Sequence, residues 1–196
     1  MTILAEVLTW LTYVAFFAQI SSGPPAPDPL TRLRAKVNVE AVATEVPAEL
    51  AGEYANPSRE LLRTLGGTLS GERLYLFPDN TFLYCEWSDI SPLSITDKGT
   101  WTVRNAVLKL NSDPDVTWKT DDERRYLVVR RTSHAREILL VGIDRSLSSF
   151  EEGARGDPDA LLVVLAMERD ESFRVAKAKK VKAELMKDLW RPDPPP

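Results

Sequence analysis

The sequence predicts a mainly β fold: an antiparallel up-and-down barrel or sandwich of about eight short strands, with one C-terminal helix packed outside it. Three observations carry this. Short apolar runs, several alternating with a two-residue period, recur between residues 36 and 143. The polar turns between them are mostly too short for a crossover helix, which favours antiparallel pairing, since parallel neighbours need a connection of about a dozen residues. Six prolines away from the chain ends, Pro47, Pro57, Pro78, Pro92, Pro114 and Pro158, fall between the runs and never inside one.

Taken in order, residues 36–44 (KVNVEAVAT) alternate and predict a strand, and residues 47–54 predict a turn feeding a second. Residues 58–65 predict one or two helical turns ended by Gly66 and Gly67. The strongest local signal follows: ERLYLF at 72–77, a turn at Pro78, Asp79 and Asn80, and TFLYCEW at 81–87, which together predict a hairpin. Residues 99–103 and 107–110 predict a second hairpin through Arg104, Asn105 and Ala106. Residues 116–119 form a short candidate strand, and 125–131 with 137–143 predict a third hairpin. Residues 146–154 predict a short helix. The continuous apolar run at 160–167 (ALLVVLAM) reads as a strand, because it is short and follows an Asp-Pro step. Residues 172–190 predict a helix with Val175, Ala178, Val181, Leu185 and Leu189 near one face.

The 196 residues suffice for one domain with tails. Residues 1–23 read as a signal peptide or hydrophobic leader, with the apolar run VLTWLTYVAFFA at 7–18 and a small-residue exit. The expected location is therefore exported, periplasmic or extracellular; the alternative is retention at the membrane by an uncleaved N-terminal segment. From Val7 to Ile20 the run is short of the ~20 residues a span requires, so no stable membrane span is expected after processing. Residues 24–34 read as a Pro-rich linker, 35–190 as a single domain and 191–196 as a Pro-rich tail.

The net charge is −4, and loss of residues 1–23 removes one acid, Glu6; no nucleic-acid surface is implied. A lone Cys85 and a lone His134 exclude internal disulfides, most zinc sites and all Cys-His catalysis except a pairing of those two. No nucleophile elbow or phosphate loop is present. His134 lies in a polar turn beside Arg130, Arg131 and Arg136 and reads as a surface residue. Asp113, Asp115, Asp121, Asp122 and Glu123 cluster around Trp118 but match no calcium loop. The expectation is a protein with no catalytic residue, metal or cofactor; a hydrolase using Asp121 and Asp122 is the weaker idea.

Three segments, Leu50-Ala-Gly-Glu-Tyr54, Pro78 to Tyr84 (PDNTFLY) and Gly99-Thr-Trp101, together resemble the small lipocalin-like, calycin-type β-barrel of bacterial exported proteins, over about residues 47–167. The resemblance implies a closed sheet whose interior holds a small apolar molecule, or a purely structural role in the cell envelope. The aromatic side chains of Tyr75, Phe77, Phe82, Tyr84 and Trp101 are the candidate lining. Both faces of the 72–87 hairpin are apolar, so one face fills the interior and the other needs a cover, for which residues 58–65 and the last helix are suited. Arg174, Lys177, Lys179, Lys180, Lys182 and Lys187 make that helix basic, which suggests the alternative of a module that engages a protein partner or membrane surface.

Overall fold

The computed structural model describes residues 27–44, 46–58, 61–63, 66–67, 70–114, 124–132, 137–153 and 157–190. Its strands are β1 (Val39–Ala41), β2 (Gly52–Asn56), β3 (Ser70–Leu76), β4 (Thr81–Ser88), β5 (Ser94–Arg104), β6 (Val107–Ser112), β7 (Arg125–Arg131), β8 (Ile138–Gly142) and β9 (Met167–Arg169). From β2 to β9 each strand pairs antiparallel with the next, and β9 pairs back to β2, closing an eight-stranded up-and-down barrel. The sandwich alternative is thereby settled in favour of the barrel. Strand β1 lies outside the ring, on the edge of β7 that β6 also uses: Val39 stands opposite Arg131, and Val107 opposite Leu127.

Local chemistry explains the turns. In the β3–β4 turn Asn80 adopts φ 62, and Asp79 accepts from the Thr81 backbone and hydroxyl at 3.2 and 2.6 Å. Asn105 and Ala106, both at positive φ, turn β5 into β6 with the hand that the twist of paired strands favours. Gly99 has a different reason. A Cβ there would sit 2.1 Å from the Asn111 carbonyl oxygen, so only glycine lets β5 and β6 approach this closely, two residues before the buried Trp101.

The helices are α1 (Pro29–Arg34), α2 (Pro47–Leu50), α3 (Ser146–Gly153), α4 (Pro158–Leu165) and α5 (Ala178–Leu189), the last preceded by a 3-10 turn at Val175–Lys177. Two expectations are corrected here. The linker expected over 24–34 is helical from Pro29, with Leu33 fully buried. The strand expected over 160–167 is helix α4, and only Met167 enters a strand, β9. Both helices begin at an Asp-Pro step: the Asp28 carboxylate accepts from the Leu30 and Thr31 amides, and that of Asp157 from Asp159 and Ala160. Aspartate supplies the cap and proline the first helical residue, so the step starts a helix as readily as it ends a strand. The expected strand at 116–119, His134, most of the acidic cluster (Asp115, Asp121, Asp122 and Glu123) and the leader at 1–23 lie outside the described residues. Among those described, no helix is long and apolar enough to cross a membrane.

The core divides into three apolar layers. Inside the barrel, Leu50, Tyr54, Leu74, Leu76, Phe82, Tyr84, Trp101, Leu108, Leu110, Tyr126, Val128, Ile138, Leu140 and Met167 pack together. The outer face of β7 and β8, with Leu127, Val129, Leu139 and Val141, is covered by Leu33 of α1, Leu147 and Phe150 of α3 and Leu162 of α4. That cover explains why RYLVVRR and ILLVG are apolar on both faces. The outer face of β3 to β5 carries the third layer, Tyr75, Phe77, Leu83, Cys85 and Ile95, under Phe173, Leu185, Met186 and Leu189 at the C-terminus.

Candidate functional site

Register decides which of the expected lining residues face inward. Residues paired across an antiparallel ladder share a face. Strand β3 pairs Leu76 with Phe82 and Leu74 with Tyr84, and these four point into the barrel together with Trp101. Tyr75 pairs with Leu83 and belongs with Phe77 to the layer under α5, so the expectation that Tyr75 and Phe77 line the interior is corrected. Their rings stack on one another at 6.5 Å as packing for the helix. Burial and the nearby Glu53 carboxylate push the Tyr75 hydroxyl up to about 12, and burial likewise pushes the Cys85 thiol up to about 12, which leaves the lone cysteine an inert core residue.

The barrel is filled at one end and open at the other. At the end of the β3–β4 turn, Trp101 is buried, and its indole N–H donates to the Phe77 carbonyl at 3.3 Å. Tyr54, fully buried, donates its hydroxyl to the Leu50 carbonyl at 2.9 Å. Toward the far end the same inner face changes character: beyond Leu74 and Tyr84 it presents the opposed pair Glu72 and Glu86, then Ser70 and Ser88 at the rim. The hydroxyl of Tyr84 donates to the Glu72 carboxylate. Burial, with the Glu72 charge and the adjacent Tyr126 and Glu86, raises the Tyr84 hydroxyl far above its ordinary value, so it stays a donor.

A register shift after Tyr84 shapes this end. Tyr84 pairs with Asp97 and Cys85 with Ile95, which leaves Thr96 as the extra residue of a bulge. Asp97 therefore faces inward and is 1% exposed; one oxygen accepts from the Ser112 hydroxyl at 2.9 Å and pairs with Arg124, and the other has no hydrogen-bond partner among the described residues.

Two cavities open at this mouth and share Asn56, Glu72 and Glu86. The larger, about 670 Å³, extends across Thr96 and Trp87 to Val164. The smaller, about 320 Å³, lies over the Tyr84 and Tyr126 side chains and reaches Arg145, Ser146 and Ser149 at the start of α3. Trp87 owes its position to Gly71, directly opposite it: a Cβ on Gly71 would meet the indole at 2.8 Å. Among the described residues no group of three His, Cys, Asp or Glu side chains is gathered as metal ligands. The mouth thus offers carboxylates, tyrosines, an indole, hydroxyls and one guanidinium, a set suited to orienting a small polar molecule.

Of the expected lining, Phe82, Tyr84 and Trp101 are brought together, and of the five Tyr84 is the one that borders either of these two cavities. Glu72, Glu86, Asp97, Tyr126 and Arg145 were missed. The carboxylate pair had a signal: Glu72 and Glu86 are equidistant from the Pro78-Asp79-Asn80 turn and in phase with the inward Leu74 and Tyr84. Arg145 had none, because its place at the mouth depends on how α3 leaves β8. In class, then, the molecule is a closed antiparallel β-barrel, filled at one end and polar at the other. No protein-family model matches the chain, and neither a curated protein nor a solved structure matches it.

Proposed function

We propose that this chain is a non-enzymatic, exported, lipocalin-like barrel that binds a small ligand at its open end. One observation carries the reading: the apolar half of the interior is occupied by the barrel's own side chains, while two adjoining cavities at the open end carry hydrogen-bonding groups in their walls. The ligand is accordingly polar rather than the apolar molecule that the resemblance implies. Export rests on the apolar leader at 1–23. The test is native mass spectrometry of protein purified from its own export route, beside a variant whose mouth is filled by Ser94→Phe. A small molecule that co-purifies with the first and is missing from the second supports the reading. Wild-type protein that is uniformly unliganded, with no thermal shift in a metabolite panel, overturns it.

The alternative, an interaction module working through the basic helix, draws on a specific arrangement. Leu185, Met186 and Leu189 of α5 pack on the barrel and Lys182 bonds Asp79 and Thr81, while Lys179, Lys180 and Lys187 are exposed. An anionic surface would be met by those three lysines and not by the apolar face, which the barrel already occupies. Sedimentation with vesicles containing phosphatidylserine, lost on replacing the three by serine, is the expected result; no sedimentation removes this alternative.

A further inference from the structure

We infer that the ligand of the mouth is a neutral saccharide with one sugar ring seated in the smaller cavity, a step that rests on the ligand-binding reading and names its chemistry. That cavity, about 320 Å³, lies at the lower end of the ~300–1,000 Å³ found for small-molecule sites, which suits a ligand of one ring. Its wall combines Asn56, Glu72 and Glu86 with Arg145 and Ser149, over the side chains of Tyr84 and Tyr126. Both tyrosines are more than nine-tenths buried, so the barrel itself fixes the floor.

Charge decides the class of ligand. Acids and a guanidinium stand in one wall, and both Glu72 and Arg145 are already engaged within the protein; Tyr84 donates to the first of them. An anion placed here meets the two glutamates, and a cation meets Arg145. A neutral ligand meets neither repulsion. It draws instead on the lone pairs and N–H groups that those partners leave, since a carboxylate accepts at about four sites and a guanidinium donates from several nitrogens. Sugar hydroxyls, each both donor and acceptor, match such a mixed wall.

Register adds a geometric match. Asn56 stands opposite Glu72, Glu72 opposite Glu86 and Glu86 opposite Ser94, so four hydrogen-bonding side chains form one row across β2 to β5 on the inner face. Neighbours in the row repeat at about 4.8 Å, the spacing of strands, which is close to that of alternate equatorial hydroxyls on a six-membered ring. Tyr84 and Tyr126 share this inner face, and the electron-rich faces of their rings suit the C–H side of a sugar. Ser94 belongs to the larger cavity, so that cavity gives a second sugar unit a path outward.

Isothermal titration calorimetry of the full chain with glucose, galactose, mannose and N-acetylglucosamine tests the inference, each hexose being run beside its amino and uronate derivatives. A neutral sugar is expected to bind, and its cationic and anionic derivatives to bind about tenfold more weakly or worse. Glu86→Ala, which removes acceptor oxygens from the row, is expected to weaken that sugar about tenfold in a chain that still melts cooperatively. Glu86→Gln keeps a carbonyl acceptor and gains a donor, so its affinity should stay within about threefold of wild type. Preference for the amino derivative, or an equal loss in Glu86→Gln and Glu86→Ala, overturns the neutral assignment, because charge would then be the recognition element; the binding cavity would stand. Absence of binding by every sugar overturns it too. A co-purified molecule of another class would in that case preserve the ligand-binding reading, and an empty barrel would remove both. A disaccharide ending in the bound sugar separates the two sources of this chemistry: tighter binding than the monosaccharide assigns the end of a glycan, and equal or weaker binding assigns the free sugar.

Discussion

Glu72 and Glu86 stand opposite one another across the β3–β4 ladder, both on the inner face, at the point where an apolar barrel interior opens to water. Like charges so placed disfavour the strand pair by about 0.2–1 kcal/mol. The fold tolerates the repulsion because both carboxylates are partly exposed and Tyr84 supports one of them. Glu86→Gln is therefore expected to raise stability toward pH 7 by up to about 1 kcal/mol, with a gain that shrinks in high salt. Urea denaturation at two salt concentrations measures it. A loss of stability would mean that the Glu86 charge is compensated and that the mouth is not strained electrostatically.

Two glycines on the same wall separate a structural role from a site role. At Gly99 an added Cβ meets backbone, 2.1 Å from the Asn111 oxygen and 2.9 Å from the Asp113 nitrogen, and neither atom can move without parting β5 from β6. Gly99→Ala is expected to cost about 3 kcal/mol or more, at the upper end of what overpacking does. At Gly71 the added Cβ meets only the half-exposed indole of Trp87, which can swing aside. Gly71→Ala is expected to cost under about 1 kcal/mol in unfolding experiments. It should nevertheless shift tryptophan emission, because the indole that the added methyl displaces is Trp87's own. Equal stability losses in the two variants would contradict this account of β5 and β6.

The strands were legible because their cause is local. Alternation, the Pro78-Asp79-Asn80 turn and the Asn105-Ala106 turn act within a few residues, and each hairpin forms as those residues imply. What failed were places where one residue has two uses. Asp157-Pro158 caps and starts α4 where it was expected to precede a strand, and Asp28-Pro29 starts α1 inside an expected linker. Tyr75 and Phe77 are as apolar as Leu74 and Leu76, so composition could not choose which pair turns inward; a cover on one side and closure on the other made the choice. The mouth was illegible for a related reason. It combines β2, β3, β4, β7 and α3, whose proximity exists only once β9 has paired with β2.

On the outer wall, Glu168 of β9 gives the fold a pH signature. Burial holds its carboxyl above the ordinary value of 4.5, and the neighbouring Glu137 adds to the rise through its charge and a hydrogen bond. A Ser58 hydrogen bond and the Arg131 charge oppose it. Below the unfolded value both states are protonated and the residue costs nothing. As pH rises past that value the unfolded chain ionises first, so the native state loses ground until its own, higher value is passed. Glu168→Gln keeps a neutral side chain there at every pH. The variant is expected to melt higher than wild type at pH 7 and to match it near pH 3. Calorimetric melting at the two values checks this; a variant that melts lower at pH 7 would show that the ionised carboxylate is favoured in the native barrel.

Helix α5 separates two accounts of the C-terminus, because its two faces have different consequences. Tyr75, Phe77, Leu83 and Cys85 are each under 5% exposed, and much of that burial is given by Phe173, Leu185, Met186 and Leu189. Exposing apolar side chains of this size costs about 1.5–3 kcal/mol each when exposure is complete, and a domain's whole stability is about 5–15 kcal/mol. Ending the chain at Asp170 is therefore expected to leave a barrel that binds hydrophobic dye, unfolds without a sharp transition and aggregates. Replacing Lys179, Lys180 and Lys187 by serine removes charge from the exposed side alone, and the melting temperature should hardly move, since substitutions at such positions stay within about 0.5 kcal/mol. A truncated chain that still melts cooperatively near the wild-type temperature would show instead that the outer wall of β3 to β5 needs no cover, and that the helix is free to leave it for another surface.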